Sequence, residues 1–263
     1  SIPFSAEGYY SPQDHQSIAS MPDVNGIGFH ETIYVFCINT GASAVGPQCS
    51  RSLNGGLTWD IQRPGYPIGT SQCSGLHGHV AGGSDGSVYR GNPSCEGPAV
   101  YRSLDGGYTW TEHTISTTVA MQEGWHNHEV AVAVDEAGNL FASWISIDDM
   151  PWMAYSRDQG DTWSEPMMVA PPGVNETGFP TIFAGEEGRV VVGYIGEGDE
   201  VGWQKRGAVA AVARRSGTSS IDICRWTKEL LEKHDYDRVR ELYWTPNGDP
   251  NSAEFINTNF RDG

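Results

Sequence analysis

The first 200 residues contain no lysine. They hold six arginines against 24 aspartates and glutamates, a net charge of −18. A surface of that sign repels nucleic-acid backbones and anionic bilayers, which select basic patches, so neither is an expected partner. No apolar run long enough to cross a membrane as a helix occurs anywhere in the chain. None of the five cysteines stands in a CxxC pair, which leaves zinc ribbons and thioredoxin-like motifs unsupported. The acidity also stops abruptly: residues 201–263 carry ten basic and nine acidic side chains, a net of +1.

Turn formers are abundant instead. The 33 glycines and 15 prolines among 263 residues describe many short strands joined by tight turns. Cys37 with Cys49, and Cys73 with Cys95, are each placed to staple one repeat, which implies an oxidising compartment and leaves Cys224 over. The chain opens on Ser1 and carries the sequon Asn175-Glu176-Thr177. Both suit a processed protein that is secreted, extracellular or periplasmic.

Three nearly identical strings organise the chain. They are Ser52-Leu53-Asn54-Gly55-Gly56-Leu57-Thr58-Trp59, Ser103-Leu104-Asp105-Gly106-Gly107-Tyr108-Thr109-Trp110 and Ser156-Arg157-Asp158-Gln159-Gly160-Asp161-Thr162-Trp163. Their serines lie 51 and then 53 residues apart, a period that marks a stacked or radial repeat. Before each string the same order recurs: a strand, a turn, a second strand, a connection and a third strand. The second unit shows it as Val80-Ala81, Ser84-Asp85-Gly86, Ser87-Val88-Tyr89 and Ala99-Val100-Tyr101-Arg102. The string itself reads as a hairpin, with the fourth strand beginning at its tryptophan. A fourth unit, with Thr181-Ile182-Phe183 and Val190-Val191-Val192-Gly193-Tyr194, has no such string where one is due. Four-stranded units of this length, arranged radially, are the blades of an all-β propeller.

Ser-x-Asp-x-Gly-x-Thr-Trp resembles the Asp-box, or BNR repeat, of sialidases and related β-propellers, over roughly residues 10–210. The resemblance implies boxes on the hairpins between third and fourth strands, remote from any active site. It also implies a ring that usually has six blades. Fold alone implies no activity. Sialidases carry an Arg-Ile-Pro motif, an arginine triad for the substrate carboxylate, a Tyr–Glu nucleophile and an Asp acid/base. This chain has no Arg-Ile-Pro; Gln62-Arg63-Pro64 follows the first box, where the family motif precedes it. Arg51, Arg102 and Arg157 lie beside or within boxes and are expected at the surface. Sialidase activity is therefore not expected. Other glycosidases need two carboxylates across a cleft, and Glu129, Asp148 and Asp149 are candidates, with Glu197, Asp199 and Glu200 beside them.

A second constellation opens the units: Asp14-His15-Gln16, His77-Gly78-His79 and Trp125-His126-Asn127-His128-Glu129. Residues two apart on a strand share a face, and first strands line a propeller axis, so these histidines are placed to converge. With Glu129 or Asp14, His15, His77, His79, His126 and His128 have the chemistry to hold a divalent transition metal. Trp125 and Trp152 are candidate sugar-stacking platforms, Trp152 in a connection between strands, whereas Trp144 reads as core.

After residue 207 the repeat grammar ends. Residues 208–263 read as a separate segment: Asp222 to Tyr243 has helical periodicity, and a polar tail follows Pro246. The segment offers a contact for an oligomer or larger assembly. The expectation is a secreted or cell-surface propeller that binds a glycan or protein partner. Glycoside hydrolysis, or a structural role in an extracellular assembly, is the alternative.

Overall fold

A computed structural model describes residues 13–40, 46–68, 78–94, 96–121, 129–170, 174–198, 207–215 and 253–259. The described residues form sixteen strands in four sheets of four. The first sheet is β1 (Gln13–Pro22), β2 (Thr32–Thr40), β3 (Pro47–Ser52) and β4 (Arg63–Pro64). The second is β5 (Val80–Gly82), β6 (Val88–Ser94), β7 (Gly97–Ser103) and β8 (Thr111–Thr114). The third is β9 (Ala131–Val134), β10 (Leu140–Ile145), β11 (Pro151–Ser156) and β12 (Met167–Met168). β13 (Val174–Ala184), β14 (Val190–Gly198), β15 (Gly207–Arg215) and β16 (Ala253–Asn259) make the fourth.

Every sheet is antiparallel with its strands in chain order, and the first strands β1, β5, β9 and β13 pack successively against one another. That is the radial stacking of propeller blades, first strand innermost. The cause is the two-residue alternation of side chains. On β10, Leu140, Ala142 and Trp144 face the second sheet, while Phe141 faces the fourth. Three cores result, one per joint: Ile33 and Val35 against Val88 and Tyr101, Tyr89 and Val100 against Val132 and Trp144, and Phe141 and Met153 against Ile182 and Val192. Trp144 is fully buried, as its strand position predicts.

The boxes are self-contained turns. In the second, the Asp105 carboxylate accepts from the backbone N–H groups of Tyr108 (3.0 Å) and Thr109 (2.8 Å), while Ser103 Oγ accepts from Gly107 N (2.8 Å). In the third, Thr162 N–H and hydroxyl both donate to Asp158, which holds that carboxyl down at about 2. Asn54 keeps the acceptor role toward Thr58 N (2.9 Å) but donates its amide to Thr58 Oγ1 (2.8 Å), reversing one bond of the box.

Arg51 and Arg102 depart from expectation. Their side chains are only 15% and 13% exposed, because each spans a joint. Arg51 donates to the Asp105 carbonyl (2.6 Å), and Arg102 donates to the Gln159 carbonyl (3.0 Å) and pairs with Asp161 (3.0 Å). The arginine preceding one box thus grips the backbone of the next. Arg157 is exposed, as expected.

The boundary drawn after residue 207 is corrected by the sheet order, since β15 and β16 complete the fourth blade. The small apolar run 208–213 is a strand paired along β14, and the tail contributes the outer strand. The helix expected from Asp222 to Tyr243 lies outside the described residues. Cys37 and Cys49 face each other across β2 and β3 and are disulfide-bonded. Cys73, Cys95 and Cys224 lie outside the described residues.

Candidate functional site

Four consecutive first strands offer one residue each at matching positions: His15, His79, Glu129 and Phe179. His79 and Glu129 stand just before β5 and β9. His15 and Phe179 sit where β1 and β13 slip register, between Asp14 and Ser17 and between Gly178 and Thr181. Both have a φ of 52°. Such a left-handed conformation is costly for a side chain with a Cβ and concentrates at functional positions.

Three of these residues converge. His15 Nδ1 lies 3.9 Å from one Glu129 carboxyl oxygen and His79 Nδ1 lies 3.8 Å from the other. The two imidazoles stack, centroids 6.4 Å apart and 17° from parallel. Glu129 is 9% exposed, whereas the His79 side chain is 64% exposed, so the carboxyl lies at the floor and an imidazole at the opening. Burial pushes the Glu129 carboxyl up to about 7, against the opposing pull of His15 and a hydrogen bond from the His79 backbone N–H. Burial, with the neighbouring His15, holds the His79 imidazole below its ordinary range.

Glycine sets this geometry. The Val130 carbonyl, next in chain after Glu129, is wedged against Gly78 and Gly91 of the second blade. A Cβ added to either glycine would meet that oxygen at 1.9 Å. Gly78 N–H donates to the Gly91 carbonyl (2.8 Å), which fixes the backbone that carries His79. The neighbouring joint is tied by Ser17 Oγ, which accepts from Val80 N (2.9 Å).

The other sequence candidates fall as follows. Asp148 and Asp149 occupy the turn between β10 and β11, tied to the connection that enters β9 by Ile147 N to the Ala120 carbonyl (3.1 Å). Asp148 is committed to that turn, accepting from Ser146 Oγ and from the Trp152 indole N–H (3.3 Å). Asp149 has a φ of 62°, and its carbonyl accepts from Thr177 of β13 (2.6 Å). Its buried Oδ1 has no hydrogen-bond partner. Trp152 lies in β11 opposite Trp144, not in a connection, and packs partly buried against the joint between the second and third blades. A strand begins at Pro151 because the Asp148–Asp149 turn is shorter than the sequence suggested.

His77, His126, His128, Trp125, Asp199 and Glu200 lie outside the described residues. Among the described residues no three His, Cys, Asp or Glu side chains gather as ligands for a metal ion. Each arginine of residues 13–198 is engaged within the protein. Arg63 stacks on Tyr108 at 4.0 Å and Arg157 on Tyr155 at 5.4 Å. Arg189 pairs with Glu186 (2.8 Å), and fully buried Arg90 donates to the Gly65 carbonyl (2.6 Å) and Asn92 (2.8 Å). With Arg51 and Arg102 spent on joints, no arginine triad for a carboxylate forms among the described residues.

Phe179 stands where the earlier units carry polar side chains, and its residue type alone gives no sign of a site. It is 51% exposed on a strained backbone. Phe179→Gly is expected to raise the melting temperature by a few degrees, since glycine adopts that φ without cost. A thermal melt checks it; a lower melting temperature means that Phe179 packs more than it strains.

One comparison with known proteins recognises the repeat. The BNR/Asp-box repeat family matches residues 154–165. No curated protein matches the chain by sequence. Among solved structures, a mutant NanB sialidase from Streptococcus pneumoniae is 19% identical, with 65% of this chain and 26% of that one covered and a TM-score of 0.45. The intramolecular trans-sialidase from Ruminococcus gnavus is 16% identical over 64% of this chain and 37% of that one, with a TM-score of 0.46. AofleA from Arthrobotrys oligospora is 12% identical over 76% and 53%, with a TM-score of 0.45. The chain thus spans from about a quarter to about half the length of these structures. Its third box string matches the BNR/Asp-box repeat, and its four-stranded antiparallel sheets in chain order, first strands packed together, are those of a β-propeller.

Proposed function

We propose that this chain is a glycan-binding propeller whose ligand seats at the inner mouth of the blades, on His15, His79, Glu129 and Phe179. The observation that carries the reading is the convergence of His15, His79 and Glu129 from three successive first strands. A sugar offers many hydroxyls and one apolar ring face. Imidazole and carboxyl groups satisfy the first and a half-exposed phenyl ring the second. The Cys37–Cys49 disulfide supports a secreted or cell-surface location.

One observation favours hydrolysis as a second reading: a carboxyl that titrates near 7 is suited to general-acid work. Asp148 and Asp149 are the other carboxylates the sequence offers for such a pair.

Retention on a panel of immobilised neutral oligosaccharides tests the first reading. Binding is expected, with at least a tenfold loss in Glu129→Ala, and a panel with no retained member overturns it. Fluorogenic glycosides test the second. A sialoside is expected to be inert, because the arginines are committed elsewhere; turnover of any other glycoside that Glu129→Gln abolishes makes the chain a hydrolase.

A further inference from the structure

The Glu129 carboxyl at the floor of the mouth is sparsely hydrogen-bonded. It accepts from the His79 backbone N–H. The imidazole nitrogens that face its two oxygens stand at 3.9 Å and 3.8 Å, beyond the length of a hydrogen bond. A carboxylate has room for about four donors, so most of that capacity is unfilled among the described residues.

Its charge is matched as poorly as its hydrogen bonds. A buried carboxylate is costly unless a cation pairs with it. No lysine occurs in residues 1–200, and the six arginines there are engaged with other groups. Among the described residues the two imidazoles are the only ionic partners of Glu129. They stack 6.4 Å apart, so charging both sets like against like. Burial, together with His15, already holds the His79 imidazole below its ordinary range. A neutral imidazole still offers a ring nitrogen as acceptor. These three side chains therefore present acceptors and negative charge with no fixed cation among them.

We propose that the mouth takes an amino sugar, with the ligand's ammonium group seated between the Glu129 carboxyl and the rings of His15 and His79. The inference rests on the reading of this mouth as a glycan seat and adds the chemical class of the glycan. An ammonium brings three donors and the charge that no lysine or arginine of residues 1–200 supplies; a hydroxyl brings one donor and no charge. Seated about 2.8 Å from a carboxyl oxygen, it makes the charge-assisted bond that neither imidazole is near enough to make. The half-exposed Phe179 ring is left for the apolar face of the sugar. A carboxylated sugar meets the same floor with the wrong sign.

Two short glucosamine oligomers test this, one with a single free amino group and the other fully N-acetylated, which removes the charge. Retention on the immobilised full chain, with a chelator present to keep metal ions off the histidines, is expected to be about tenfold stronger or more for the free amine. Glu129→Gln keeps the shape of the carboxyl and drops its charge, and should bring the two oligomers to equal retention. General attraction to an acidic protein is the rival cause. Salt near 1 M screens exposed charges beyond about 3 Å, so it should remove a general preference and leave this one standing. The wild-type protein gives a second readout that needs no variant. At a pH where the amine is fully charged, its seating should draw the Glu129 carboxyl down and release protons, which calorimetry in buffers of different ionisation heat detects. Equal retention of the two oligomers by the wild type overturns the proposal and leaves glycan binding intact. So does a preference that survives in Glu129→Gln, one that vanishes in salt, or binding without proton release. Retention of no sugar of any kind overturns the glycan reading as well, which tells the two failures apart.

Discussion

Glu129→Gln is expected to stabilise the protein at pH 8 by up to about 3 kcal/mol and to leave it unchanged at pH 4. The Glu129 carboxyl titrates at about 7 in the folded chain, up from 4.5, because burial disfavours its charged form. Each unit of such a shift corresponds to about 1.4 kcal/mol. The folded pKa is raised, so its contribution is fully present below about 4.5 and is lost as pH climbs through about 7. Glutamine imitates the protonated acid at every pH and removes that loss. His79 acts in the opposite sense. Its depressed pKa gives stability that is present above the ordinary imidazole range and lost as pH falls through the folded value. Urea unfolding of both proteins across this range checks the prediction, and parallel pH profiles would refute it. A gain in stability joined to a loss of glycan retention marks Glu129 as a group kept for function at the expense of the fold.

Gly91→Ala is expected to cost about 3 kcal/mol or more and to scatter the site as well. The added methyl group would sit 1.9 Å from the Val130 carbonyl oxygen, and that obstacle is backbone, with no side chain to swing aside. The strand entering the third blade must retreat from the second, taking Glu129 away from His79. Thermal melts should show the destabilisation. The separation should also bring the Glu129 carboxyl back toward the usual carboxylate range, which a pH titration of the variant would read. Gly78→Ala meets the same oxygen and should behave alike. A variant that melts with the wild type would show that the two blades have room to spare.

The chain announces its architecture through local physics. Each box closes its own hairpin with its own Ser, Thr and an Asp or, in the first, an Asn, so the motif is readable without knowing what surrounds it. The two-residue alternation in Leu140–Ile145 likewise states both faces of a strand. His15, His79 and Glu129 were legible as a set because each stands at the same place in its unit. What escaped reading depends on contacts between units. Arg51 and Arg102 look like surface residues until the next blade arrives, 54 and 57 residues later, with a carbonyl to receive them. The fourth blade was cut short in sequence because 37 residues, 216–252, separate its third and fourth strands, and no box marks the turn. Phe179 gave no signal, since its left-handed backbone is a property of the folded strand.

The place held by Arg51 in the first blade and Arg102 in the second falls to Tyr155 in the third, so no arginine reaches forward to the fourth. That last joint is instead laced at its turns, where the Asp135 carboxylate accepts from Gly188 N (2.8 Å) and Glu136 N donates to the Gly185 carbonyl (2.9 Å). Among the described residues, side-chain arginine ties of the kind that lock the first two joints are missing from it, and local opening is drawn from such less-tied units. The amides of β13 and β14 should therefore exchange with deuterium ahead of those in the second blade. Phe179 lies on β13, so faster exchange there would extend to the strand that carries it.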